Sequence, residues 1–91
     1  MNHPIKEISG TFTLEPNPCL TKPCLPGVIP AIRTEKTIYF LVVEGHYAND
    51  PFTWQGRQLK IGETIRLKGK VSTKTDINNE KFYTLDLEST E

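Results

Sequence analysis

The chain reads as an all-β domain, a small antiparallel barrel or strongly bent sheet, and its C-terminal third carries the strongest sign of it. Ile65, Leu67 and Val71 share one parity while Arg66, Lys68 and Lys70 take the other, and Tyr83, Leu85 and Leu87 alternate in the same way with Thr84, Asp86 and Glu88. Such period-two alternation belongs to strands with one buried and one wet face. No stretch shows the 3.6-residue apolar period of an amphipathic helix, whereas glycine and β-branched residues are plentiful. With 91 residues the chain makes one modest core, so a single domain over residues 1–91 is expected.

Asp76, Ile77, Asn78 and Asn79 separate the two alternating runs and supply residues that tolerate turn conformations. They predict an antiparallel hairpin, and charge predicts its register. With the turn centred near Asn78, Val71 faces Leu85 inside, while Lys70 faces Asp86 and Lys68 faces Glu88 outside. A slip of one residue would oppose apolar to charged side chains along the whole hairpin.

Ahead of the hairpin, Ile8, Gly10, Phe12 and Leu14 alternate with Ser9, Thr11 and Thr13, a first strand in which Gly10 marks a bend or bulge. Residues 16–36 then hold five of the seven prolines and both cysteines. Proline removes ladder donors, so this stretch is expected to be a loop without a central strand, packing Leu20, Leu25, Val28, Ile29, Ala31 and Ile32 over the body, with at most a short edge strand near residues 28–33. Ile38, Tyr39, Phe40, Leu41, Val42 and Val43 are apolar on both parities, as in a strand covered by the core on one side and by the proline loop on the other. Phe12, Phe40, Leu67 and Leu85 are expected in one core. A second loop over residues 45–56 gathers aromatics, and Gln55-Gly56 is suited to turn a short hairpin.

The run Gly62-Glu63-Thr64-Ile65-Arg66-Leu67-Lys68-Gly69-Lys70-Val71, followed by Phe82-Tyr83-Thr84-Leu85-Asp86-Leu87, resembles a strand pair found in OB-fold modules. That resemblance implies a five-stranded, partly open small barrel. It carries no functional residue over.

Function is much less legible. Eleven basic and eleven acidic residues cancel, which argues against the overall basic excess of a strong nucleic-acid binder. No apolar run approaches the roughly 18 residues of a membrane span, and Met1 to Lys6 has no apolar signal core, so a cytoplasmic protein without a membrane partner is expected. Export is the alternative if a signal peptide has been removed. In that case Cys19 and Cys24 suit a disulfide across the proline loop; in the cytosol they suit reduced thiols. As zinc ligands they would need two partners, and the histidines are His3 and His46. No nucleophile elbow, P-loop or zincin motif is present, so neither catalysis nor a cofactor is expected.

The function expected first is therefore non-catalytic binding of a protein or small ligand, through His46, Tyr47, Phe52 and Trp54. Aromatics clustered on a loop tend to mark binding surfaces. Single-stranded nucleic acid is the alternative, held by Arg66, Lys68, Lys70 and Lys74 with aromatic platforms nearby. The plainer reading of that stripe is a wet strand face neutralised by Glu80, Asp86 and Glu88. A minor enzymatic or metal role for the loop with His46 ranks third.

Overall fold

The structure, a computed structural model, describes residues 5–18, 23 and 26–87. Its strands are β1 (Ile5–Pro16), β2 (Val28–Arg33), β3 (Ile38–Val43), β4 (His46–Tyr47), β5 (Thr53–Trp54), β6 (Arg57–Gln58), β7 (Thr64–Thr75) and β8 (Lys81–Leu87). Five of them close into a barrel. β1 pairs antiparallel with both β2 and β7, β2 with β3, and β7 with β8, and a parallel pairing of β3 with β8 completes the ring. All-β architecture is thus as expected, and closure leaves no open edge along the ring.

The C-terminal hairpin has the register that charge demands, with Lys70 opposite Asp86, Val71 opposite Leu85 and Gly69 opposite Leu87. At its turn the Asp76 carboxylate accepts from the amides of Asn78 (2.8 Å) and Glu80 (3.0 Å), and Asn79 takes a left-handed φ of 67°. The Glu80 backbone therefore closes the turn, its carbonyl accepting from the Asp76 amide at 2.9 Å. The Glu88 pairing with Lys68 lies outside the described residues.

β1 serves two neighbours, β7 through residues 5–11 and β2 through residues 11–16, and so must bend across the barrel. Gly10 sits at this bend, where a Cβ would run into the Arg33 carbonyl group. Gly69 has the same role on β7: a Cβ there would lie 2.8 Å from the Asp86 carbonyl carbon. Mid-strand glycine weakens an ordinary strand, but here it admits the close backbone approach of a small, tightly coiled barrel.

The barrel interior is filled by Phe12, Ile32, Leu41, Ile65, Leu67, Leu85 and Leu87. Residues 48–62 close one end. Ala48, Phe52 and Leu59 enter the core, and backbone hydrogen bonds tie Ala48 to Leu41 and Gly62 to Phe12. Within this segment Gln55 (φ 54°) and Gly56 (φ 81°) turn the β5–β6 hairpin, as their sequence suggests.

Two expectations fail. Phe40 is not in the barrel core but outside it, in a second apolar cluster with Ile29 and Ala31, flanked by Ile38, Tyr47 and Phe82. The reason is phase: Leu41 points inward, so Phe40 on the same strand must point out. Nor is residues 28–33 an edge or a loop; β2 lies between β1 and β3, with Pro30 buried opposite Leu14. β3 reaches only Ala31, Ile32 and Arg33, so Pro30 interrupts no rung between β2 and β3. Leu20 and Leu25, expected to cover the sheet, lie outside the described residues, as do Cys19, Cys24 and His3. Among the described residues no helix is long and apolar enough to cross a membrane.

Candidate binding cleft

The outer apolar cluster adjoins a cleft of about 760 Å³. Its floor holds Ile38, Phe40 and Phe82, and the two phenyl rings meet edge to face with centroids 5.9 Å apart. Three chain segments form its walls: the end of β1 with Asn17 and Pro18 after it, residues 34–37 between β2 and β3, and residues 76–80 between β7 and β8.

Each wall is fixed locally. The Thr34 hydroxyl accepts from the amides of Lys36 (3.2 Å) and Thr37 (3.0 Å), a side-chain turn that sets the β2–β3 connection. Asp76 does the same for the β7–β8 connection. The Asn17 amide donates to the Gly27 carbonyl (3.1 Å), which draws together the two ends of the proline-rich segment. A rim built from pinned turns is a preorganised one.

Cleft electrostatics are mixed, with a small acidic excess. Glu15, Glu35, Asp76 and Glu80 line it, as do Arg33, Lys36 and Lys81. Glu15 is the most enclosed of these: its side chain is 11% exposed, receives the Thr13 hydroxyl at 2.8 Å and pairs with Arg33 at 3.0 Å. The Arg33 side chain is 55% exposed, so the pair adds little stability, but it anchors one guanidinium nitrogen at the cleft wall.

The aromatic set expected to bind ligand is divided by the fold. His46 is exposed on β4. Tyr47 packs half-buried on the outer cluster, where burial raises its phenol above the ordinary pKa of 10.0. Phe52 lies in the core, stacked on Phe12, and Trp54 stacks on Phe52 at the surface end of the same column. Arg66, Lys68, Lys70 and Lys74 do line the outer face of β7. Their cross-strand neighbours are Ser9 for Arg66, Glu7 for Lys68, Asp86 for Lys70 and Phe82 for Lys74. Carboxylates thus stand across from the middle two, and one aromatic ring stands across from Lys74.

Among the described residues no group of three or more His, Cys, Asp or Glu is placed to hold a metal ion. The sequence puts Phe40 in the core and Asp76 in a turn, and it does not gather them with Glu15, Glu35 and Glu80 into a site. A strand apolar on both parities does signal a second buried face, but it does not say which residues lie on which side. No protein family matches the chain, nor does any curated protein or solved structure.

Proposed function

We propose that the protein is a non-catalytic binding module on an OB-type barrel, and that its ligand is a small polar molecule held in the cleft over β2, β3 and β8. The position of the cleft carries this reading. OB barrels bind ligands on the face of their second and third strands, between the loop joining strands one and two and the loop joining strands four and five. Here β1, β2, β3, β7 and β8 are the barrel strands in chain order, and the cleft lies between the segment after β1 and the turn from β7 to β8.

Its volume falls within the range of about 300 to 1,000 Å³ usual for small-ligand sites. Phe40 and Phe82 offer apolar contact, while charges of both signs around the rim offer hydrogen bonds of both senses. Four carboxylates against three cations leave the rim with a small acidic excess, which favours this reading over a nucleic-acid strand.

Backbone-amide NMR tests the proposal with two titrations. One uses a fragment set of small polar aromatics and sugars, and the other a mixed-sequence single-stranded oligonucleotide at low and then physiological salt. Fragment shifts at residues 33–40 and 76–83, with silence from the oligonucleotide, are expected. Salt-sensitive oligonucleotide shifts along residues 64–74 would replace it with the nucleic-acid alternative, and fragments that leave the cleft unmoved would remove the cleft as a site.

A further inference from the structure

We propose a second binding site beside Trp54, separate from the cleft, for a planar aromatic ring that carries an anionic group. A column of near-parallel rings runs out of the core towards it. Phe12, 1% exposed, stacks on Phe52 at 6.3 Å and 12°, and Phe52 stacks on Trp54 at 6.2 Å and 17°. Trp54 is the last ring of the column and lines a hollow of about 300 Å³. A ligand ring lying there would add the next layer, in the offset stacked arrangement that aromatic pairs favour.

The hollow is cationic. Arg57 and Arg66 line it, no carboxylate does, and its apolar lining is Leu59, Ile65 and Leu67. Arg57 is brought to Trp54 by a local hairpin and Arg66 by the tertiary fold. Arg57 is the cross-strand neighbour of Trp54 in the β5–β6 hairpin, and its guanidinium is steadied by an ion pair with Glu63. Glu63 is itself held, since its carboxylate accepts the Lys60 amide at 3.1 Å. Arg66 reaches the same hollow from β7, its Nε donating to the Ser9 hydroxyl at 3.3 Å. Among the described residues its terminal guanidinium nitrogens have no partner. With one carboxylate paired to one of two guanidiniums, a single positive charge is left for the ligand.

Arginine's planar fork suits phosphate and carboxylate alike, so the shared chemistry is an aromatic ring plus an anion. The cleft differs on both counts, because its rim carries four carboxylates against three cations and its rings meet edge to face. No residue lines both hollows.

Trp54 is the sole tryptophan in the chain, so its fluorescence reports directly on this site. Adenosine monophosphate and naphthoate serve as the phosphate and carboxylate probes, with adenosine and inorganic phosphate as half-ligand controls. Saturable quenching by either full probe is expected, together with much weaker binding of both halves and weakening by added salt. Arg66→Gln should weaken binding about tenfold through loss of a charge-assisted hydrogen bond, while Phe82→Leu in the cleft should leave it unchanged. Absence of saturable quenching by both probes would overturn the proposal. So would equal binding of adenosine and its monophosphate, or unchanged affinity in Arg66→Gln. Should that variant fail to fold by circular dichroism, the comparison of whole and half ligands on the native chain decides the matter.

Discussion

The barrel interior and the outer face of β2 and β3 are both apolar, yet they are closed by different means. Phe12, Ile32, Leu41 and Leu85 are sealed by the ring of strands and by the segment over residues 48–62. Ile29, Ala31 and Phe40 sit on the outside of that ring, where the half-buried Tyr47 and Phe82 flank them and the cleft opens beside them. The outer cluster lies on the far side of the β2–β3 ladder from the interior, with Ala31 and Phe40 as cross-strand partners. On the proposed reading it floors the ligand cleft, whereas the interior packs the barrel.

Replacing Leu67 with alanine should have the largest effect, a loss of about 2 to 5 kcal/mol in denaturant unfolding, since the barrel cannot collapse into the space. A loss near zero would take Leu67 out of the interior and erase the distinction. Phe40→Leu, on the outer face, should cost less than about 1.5 kcal/mol because the volume is largely kept and the site is beside an open cleft. The same variant should weaken binding of cleft fragments. A loss as large as that at Leu67, with fragment affinity untouched, would make the outer cluster a second structural core.

The smallest effect concerns pH. Burial disfavours the ionised Tyr47 phenol, so its folded pKa stands above 10.0 and the unfolded chain loses the proton first. Its stabilising contribution is whole below pH 10.0 and is lost as pH rises through the folded pKa. Tyr47→Phe lacks this proton, so the stability of the native chain relative to the variant should fall above pH 10.0 and stay level below it. A constant difference across that range, measured by unfolding at each pH, would mean that Tyr47 is as wet as a tyrosine on an open surface.

Local alternation carried much of the fold. The β7–β8 hairpin, its register and the inward parity of Ile65, Leu67 and Leu85 are period-two patterns, which need only neighbouring residues to be read. The Gln55-Gly56 turn is legible for the same reason, because its φ values are a property of the dipeptide.

Ring closure, by contrast, was decided in three dimensions. The parallel contact of Tyr39 to Val42 with Tyr83 to Asp86 joins segments more than forty residues apart, and no periodicity encodes such a partner. That one pairing brings the turn over residues 34–37 beside the turn over residues 76–80 and so makes the cleft. It also gives β3 an inside and an outside, sending Leu41 to one cluster and Phe40 to the other, where an unbroken apolar run offers no phase to choose between them. The alternating segments of β1, β7 and β8 could be read as strands with wet and dry faces, because sterics and burial act residue by residue. The place of β2, the phase of β3 and the meeting of faces came with ring closure, because closing a small twisted ring constrains all five strands at once.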